Sequence, residues 1–253
     1  MYYHYDLEAV LAKFDAFYPP LIIGYIVTMV CFYLYYWKSI RQGFKDQCSG
    51  MPWQTNMYNF ANDFVYVAAF WNWFNPASET HHWITMFMWV GLLIWFIFEF
   101  VVHYQTIKWD LQTEIFPHAK SRRNALLMYW GVQACFIAGY AFIWSLLDDP
   151  IVMVMFITTY TGCVIFNFSM SSKRGSRRGV APSIPWALLI AQFFGYFVIL
   201  PCLDASFANP YTFAMGAAAC GLSIAYIVIY RNLPDFDNSQ LPKADAGKEP
   251  AAA

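Results

Sequence analysis

The chain has 253 residues, of which 59% are hydrophobic and only 12% are charged. Soluble domains carry about 25% charged residues, so this composition excludes an ordinary soluble protein and predicts an integral membrane protein. The formal net charge of −1 gives no reason to expect a nucleic-acid partner.

The chain begins with residues 5–18, where apolar side chains at helical spacing predict a short interfacial helix. Seven apolar segments follow, each close to the roughly 20 residues that a helix needs to cross the hydrocarbon layer. We place them at 19–38, 56–74, 83–103, 125–147, 151–170, 184–203 and 211–230. The predicted fold is therefore an all-α, multi-pass integral membrane protein, a seven-transmembrane-helix bundle formed by residues 1–231.

The loops between these segments alternate in charge. The first, third and fifth loops carry Lys and Arg, whereas the second, fourth and sixth carry neither. The positive-inside rule then predicts cytoplasmic odd-numbered loops, a cytoplasmic C-terminus and an N-terminus outside. The fifth loop contains SSKRGSRRG, residues 171–179, which either sets the topology or binds an anion. Residues 232–253 are polar and rich in Pro and Ala, which predicts a disordered cytoplasmic tail.

Two carboxylates lie within predicted spans, Asp63 in the second and Glu99 in the third. A carboxylate at membrane depth costs roughly 2.5–3.5 kcal/mol even on an insertion scale, so both should face the protein interior. With a rise of about 1.5 Å per residue, Asp63 lies about 10 Å inside its span. Glu99 lies about four residues before the end of the next, antiparallel span, which predicts a similar depth for both acids. His103 follows Glu99 by four residues and shares its helix face.

A buried carboxyl group favours its neutral form, and a neutral acid beside a second carboxyl can donate a proton. Spans two and three are also dense in aromatic side chains, whose faces attract cations. Two other interpretations stay open: a polar network that only fixes helix packing and, for Glu99, a side chain that reaches the headgroups. The candidate substrate-binding residues are Asn59, Asn62, Tyr66, Trp71, Trp95, His103, Ser223 and Tyr226.

The sequence predicts no metal and no cofactor. Of the five histidines only His103 falls within a span, which argues against a bis-histidine haem or a histidine-rich diiron centre in the bundle. A microbial-type rhodopsin needs a lysine in span seven, and 211–230 contains none. Glu79, His81 and His82 are a weak signal for a metal in the second loop.

Two stretches carry a family resemblance. They read SGMPWQTNMYNFANDFVY, residues 49–66, and KRGSRRG, residues 173–179. With the helix count, they resemble the membrane-integral terpene cyclases of fungal meroterpenoid and indole-diterpene pathways and their bacterial relatives. The resemblance implies a seven-helix protein that cyclises a polyprenyl chain, often an epoxide, by protonation.

The resemblance also implies site residues. Asp63 stands where the family has a catalytic Glu, and Ser223, in LSIAY at 222–226, stands where the family has a second acid. Either Glu99 has taken over the partner role, or the reaction or the substrate differs from the fungal pattern.

The predicted function is an integral-membrane terpene cyclase or isomerase that works through a carbocation without a redox cofactor. Asp63 would be the general acid and Glu99 its partner or the terminal base, acting on an apolar terpenoid-like substrate from the membrane lipid. Three alternatives stay open: an isomerase of a small apolar epoxide or ketone, a proton-coupled transporter with the two acids as a relay, and a seven-helix sensor.

Overall fold

The structure is a computed structural model that describes residues 5–147, 149–237 and 239. In that part of the chain all regular structure is helical, with no strand. The α-helices are α1 (Leu7–Asp15), α2 (Pro19–Asp46), α3 (Trp53–Ala68), α4 (Phe70–Phe74), α5 (Trp83–Gln105), α6 (Arg122–Leu146), α7 (Met153–Arg174), α8 (Ile184–Phe194), α9 (Leu200–Leu203) and α10 (Pro210–Asn232). Two π-helical stretches extend them, Thr106–Ile115 after α5 and Gly195–Ile199 between α8 and α9.

Six helical stretches of the described chain are long and apolar enough to cross a membrane. They are Pro19–Asp46, Trp83–Ile115, Arg122–Leu146, Met153–Arg174, Ile184–Leu203 and Pro210–Asn232. By length and composition they support the prediction of a multi-pass membrane protein. The predicted second span, 56–74, is absent from this set because its helix is interrupted: α3 ends at Ala68 after 16 residues, and the five-residue α4 follows.

The break between α3 and α4 is stabilised by two tryptophans. The indole Nε1–H of Trp73 donates to the Tyr66 carbonyl at 2.8 Å, and that of Trp89 donates to the Val67 carbonyl at 3.1 Å. The last turn of a helix leaves carbonyl groups without intrahelical donors. In an apolar environment such groups need a partner from the protein, and the two indoles supply it.

The burial pattern is that of a membrane protein. Large apolar side chains face outward, as on α2, where Ile23, Ile26 and Val30 are more than half exposed. Buried polar side chains lie between the helices instead, Asp63 and Glu99 among them. An apolar exterior around a polar interior is stable against lipid, where intramembrane polar groups face the bundle interior and pair with one another.

Helix α1 covers one end of the bundle, which we call the cap end. Val10 and Phe14 of α1 are fully buried against the core. The Tyr5 hydroxyl donates to Asp149 Oδ1 at 2.6 Å, and Asp149 accepts two backbone N–H bonds, of 2.8 and 3.0 Å, from the first turn of α7. A carboxylate at a helix N-terminus satisfies its free donors. Asp149 therefore caps α7 and anchors the segment before α1.

The opposite end, which we call the basic end, is built around Arg174 at the end of α7. Its side chain, only 6% exposed, pairs with Asp110 and Glu114, each at 3.0 Å, and donates to the Ser49 carbonyl at 2.9 Å. A Cβ atom at Gly179, where φ is +78°, would lie 2.6 Å from Arg174 Nη1. The glycine of this turn therefore makes room for the guanidinium group.

The other arginines of the 171–179 turn also contact protein acceptors. Arg178 donates to the Gln47 carbonyl at 2.9 Å, and Arg177 pairs with Asp235 at 2.7 Å. The backbone of Arg177 also donates to the Pro234 carbonyl at 3.0 Å. These contacts give the turn a structural role, since its arginines bond acceptors of the protein.

The predicted tail, 232–253, is described only up to residue 237 and at residue 239. Residues 238 and 240–253 lie outside the described part of the chain. The described beginning of this segment contacts the basic turn, since the Arg178 guanidinium lies 5.2 Å from the ring centre of Phe236.

Candidate active site

Asp63 and Glu99 meet in the centre of the bundle. Asp63 lies on α3 and Glu99 on α5, which pack against each other, and the two carboxyl groups are near enough to interact electrostatically. The two residues are 2% and 0% exposed. Topology and helix rise had predicted this proximity from sequence alone.

The helices that carry the two acids are longer than the predicted spans. Helix α3 begins at Trp53, so Asp63 lies about 15 Å along this helix. Helix α5 continues beyond His103 as a π-helix up to Ile115. Because Glu99 is fully buried, the interpretation in which it reaches the headgroups is wrong.

One oxygen of Asp63 is fixed by a short hydrogen-bond chain. The Asn62 amide donates to Asp63 Oδ1 at 2.6 Å, and the Tyr140 hydroxyl of α6 donates to Asn62 Oδ1. This chain orients the carboxyl group with donors from two helices.

One oxygen of Glu99 is fixed in the same way from the other side. The Tyr36 hydroxyl of α2 donates to Glu99 Oε1 at 2.6 Å, and Asn59 Nδ2 donates to the Tyr36 oxygen at 3.0 Å. The Asn59 amide also lies 3.7 Å from the sulfur of Cys163 on α7. Four helices therefore hold this carboxyl group.

The second oxygen of each acid lacks such a donor. Among the described residues, neither Asp63 Oδ2 nor Glu99 Oε2 has a hydrogen-bond partner. The ion pairs of the described chain do not include either acid.

Asp63 borders a small cavity whose walls are mainly aromatic. The cavity measures about 10 Å³, which is room for one water molecule. It is lined by Phe32, Tyr36, Asn59, Asn62, Asp63, Trp95, Phe156, Thr159 and Tyr160. The Trp95 ring stacks between Tyr36 and Phe156, with ring centres at 6.0 and 5.8 Å. The site is closed in this conformation.

A larger apolar groove lies on the outer surface between α1, α2 and α5. Its volume is about 490 Å³, and its lining includes Phe14, Met29, Tyr33 and Met88. The Tyr33 ring contacts the Trp95 ring, with centres 5.3 Å apart. Trp95 therefore separates this groove from the cavity beside Asp63.

The structure brings Asn59, Asn62 and Trp95, three of the predicted substrate-binding residues, to the acid pair. It places Tyr66 elsewhere, stacked on Trp73 with ring centres 4.4 Å apart. Trp71 is 71% exposed and points away from the site. Its predicted place in the aromatic wall is wrong because the helix breaks after Ala68.

His103 and the two predicted residues of α10 do not join the acid pair. The His103 ring lies one turn from Glu99, and its Nδ1 is 2.6 Å from the Tyr129 hydroxyl. Ser223 donates back to the Ala219 carbonyl at 2.8 Å, and the Tyr226 hydroxyl lies 3.1 Å from that of Ser171. Helix α10 packs mainly against α7 and α8, so its polar residues lie on another side of the bundle.

Sequence reasoning missed the residues that α2, α6 and α7 contribute to the site. They are Phe32, Tyr36, Tyr140, Phe156, Thr159, Tyr160 and Cys163. The chain contains 18 tyrosines, and nothing in the local pattern distinguishes Tyr36 or Tyr140 from the rest.

No cluster of three or more His, Cys, Asp or Glu side chains that could hold a metal occurs among the described residues. In the second loop, His81 Nδ1 lies 3.0 Å from the Trp73 carbonyl, and His82 lies 3.0 Å from Asp15. These histidines therefore have structural partners in place of the weakly indicated metal.

Compared with family models, curated proteins and solved structures, the chain shows no match.

Proposed function

We propose that this protein is an integral-membrane cyclase or isomerase that protonates an apolar prenyl epoxide or alkene. The observation that supports it is the pair of buried, electrostatically interacting carboxyl groups, of which only Asp63 borders the aromatic cavity. In this proposal the bundle has seven spans, the second being α3 with α4, which together cover about 33 Å. The loop charges then place the basic end in the cytoplasm.

The contact of the acids implies a shared proton. Two carboxylates side by side without a neighbouring cation cannot both ionise, so one of them keeps its proton. Tyr36 and Asn62 each occupy one oxygen of the pair, which leaves Asp63 Oδ2 and Glu99 Oε2 for that proton. A positioned neutral acid of this kind is a general acid.

The position of the cavity assigns the roles. Asp63 lines the cavity and is the proton donor, whereas Glu99 lies behind it as the partner. The Asp63 O–H bond breaks as an O–H bond forms on the epoxide oxygen and the epoxide C–O bond opens, or as a C–H bond forms on the alkene and its π bond breaks. In either case a carbon atom becomes cationic. A second alkene closes the ring, and loss of a proton to a carboxylate ends the reaction. The faces of Phe32, Trp95 and Phe156 stabilise the cation meanwhile.

The apolar groove supports a substrate that comes from the bilayer. Its volume of about 490 Å³ falls in the range of ligand sites, and it opens toward the lipid-facing side of α2 and α5. Since the cavity at Asp63 has room for only one water molecule, turnover requires Tyr33 and Trp95 to move apart. A prenyl tail in the groove would then place its reactive end beside Asp63.

The experiment compares the parent protein with Asp63→Asn and Glu99→Gln in lipid nanodiscs supplied with farnesylated and geranylgeranylated epoxides. Mass spectrometry measures the products. We expect Asp63→Asn to lower product formation by roughly 10²-fold or more, the scale of lost general acid catalysis. Thr161→Val is the matched control, because its hydroxyl bonds Tyr196 at 2.7 Å, away from the acid pair.

The melting temperatures of the variants distinguish a catalytic role of the two acids from a purely structural one. Buried carboxyl groups are costly, so replacing either with its amide should leave the melting temperature unchanged or raise it. Unchanged turnover in Asp63→Asn together with a lower melting temperature would show that the acids only fix helix packing.

A further inference from the structure

A second group of buried polar side chains continues from the acid pair toward the basic end. It begins at His103, which follows Glu99 on the same face of α5 and is 2% exposed. His103 Nδ1 lies 2.6 Å from the Tyr129 hydroxyl of α6. Its other nitrogen, Nε2, has no hydrogen-bond partner among the described residues, and the same holds for Glu99 Oε2.

From Tyr129 the polar groups continue to the surface. Thr106 follows His103 by three residues in the same continuous helical stretch, and its hydroxyl lies 3.1 Å from the Ser49 hydroxyl. The Ser49 N–H donates to Asp110 Oδ2 at 2.7 Å. Asp110 lines a cleft of about 50 Å³ at the basic end, together with Glu114, whose side chain is 23% exposed. This series of polar groups thus leads from α5 to a solvent-facing cleft.

Several polar atoms along this route are buried and lack a partner in the described chain. They are Glu99 Oε2, His103 Nε2, both side-chain atoms of Asn56, Gln133 Oε1 and Asp110 Oδ1. An unsatisfied buried polar group costs about 1–3 kcal/mol. Groups of this kind are normally satisfied by ordered internal water, which bonds two to four of them at once.

We propose that His103, Tyr129, Thr106 and Ser49, joined by ordered water at these orphan atoms, form a proton path between the acid pair and the cleft at the basic end. The path rests in part on the proposed function, because the acid pair that it serves is the proposed proton donor. The path replaces the catalytic proton whenever the terminal proton is lost to solvent instead of returning to the pair. Its residues have no contact with the substrate and act through Asp63 and Glu99.

Each step of the path is balanced. The Tyr129 O–H bond breaks as an N–H bond forms at His103 Nδ1, and the Nε2–H bond breaks as an O–H bond forms on the next acceptor, leading to Glu99. Tyr129 regains its proton from an ordered water, whose O–H bond breaks as the Tyr129 O–H bond forms. That water takes a proton from the Thr106 hydroxyl, Thr106 takes one from Ser49 Oγ–H, and Ser49 takes one from water of the cleft. Histidine suits this place because its two ring nitrogens can accept and release a proton in one event.

Infrared spectroscopy tests the path without any substrate. The purified full-length protein in nanodiscs is moved from H₂O to D₂O, and the carboxylic C=O stretching band is followed as its proton exchanges. Loss of the band in Asp63→Asn or Glu99→Gln assigns it to the acid pair. We expect His103→Phe and Thr106→Val to slow the exchange about tenfold or more, because exchange then waits for local opening of the helices.

Thr161→Val is the matched control, since it removes a buried hydroxyl outside the path. Its exchange should equal that of the parent. His103→Phe keeps the ring that packs on Phe60 at 4.8 Å, and Thr106→Val keeps the side-chain shape, so the two variants check each other for folding. Parent-like exchange in either correctly melting variant overturns the path.

The two proposals fail in different ways. Slow exchange in the path variants with no product from any prenyl epoxide would retain the path and remove the cyclase. Asp63-dependent product with parent-like exchange in His103→Phe would retain the cyclase and remove the path.

Discussion

Replacing Arg174 by Met tests the buried ion pairs that hold the basic end together. The change keeps much of the side-chain volume but removes the guanidinium group that bonds Asp110, Glu114 and the Ser49 carbonyl. Asp110, whose side chain is 4% exposed, would then be a buried charge without its partner. Removing one member of a buried pair costs about 3–5 kcal/mol.

The magnitude converts into a measurable shift. For a chain of this size, each kcal/mol lowers the melting temperature by about 2–4 °C, so Arg174→Met should melt about 6–20 °C below the parent. Asp235→Asn is the control, because it removes only the charge of an exposed pair with Arg177, whose side chains are 86% and 29% accessible. An exposed pair contributes at most about 1 kcal/mol, so this variant should stay within about 4 °C.

Two further variants identify the cause. The melting temperature of Arg174→Lys should lie between those of Arg174→Met and the parent. A single ammonium group cannot reproduce the planar guanidinium group, which reaches three acceptors. Combining Arg174→Met with Asp110→Asn should recover part of the loss by removing the unpaired charge. The assay is thermal unfolding in one detergent, followed by tryptophan fluorescence. If Arg174→Met melts as close to the parent as Asp235→Asn does, the buried-pair reasoning is refuted.

Three other outcomes are expected. A reporter that is active only outside the cytoplasm should stay silent at the C-terminus, as the loop charges predict, and a strong signal would show that the span count is wrong. Trp73→Phe should lower the free energy of unfolding by about 1–3 kcal/mol in a denaturant titration, since the Tyr66 carbonyl loses its indole donor. Glu99→Gln should reduce product formation strongly while Ser223→Ala leaves it nearly unchanged, and equal effects would contradict the placement of the partner acid on α5.

The long helices and the two buried acids could be predicted from the sequence, because one strong physical constraint determines each of them. Apolar length located the long helices, and the cost of a charge in lipid singled out Asp63 and Glu99. Antiparallel neighbours at matched depth then predicted that the two acids meet. None of these steps needed side-chain packing.

The rest depends on tertiary contacts that a local pattern does not encode. Ala69 favours helix, yet α3 ends before it because Trp73 and Trp89 provide donors for the released carbonyls, and Trp71 consequently points outward. Tyr36 lies in an aromatic run of α2, where its bond to Glu99 depends on how α2 is rotated against α5. Ser223 is as buried as the two acids, but it lies on α10 and bonds the Ala219 carbonyl of its own helix.

The bond between Tyr5 and Asp149 has a consequence for biogenesis. The two residues are 144 positions apart, so at a synthesis rate of about 5–20 residues per second Asp149 leaves the ribosome roughly 7–30 s after Tyr5. Until then α1 has no carboxylate to hold it, and the first turn of α7 has no cap. The N-terminal helix is thus seated only after the middle of the chain has been inserted. A bulky fusion ahead of Tyr5 would hinder this late docking of α1, whereas a fusion at the C-terminus would not affect it.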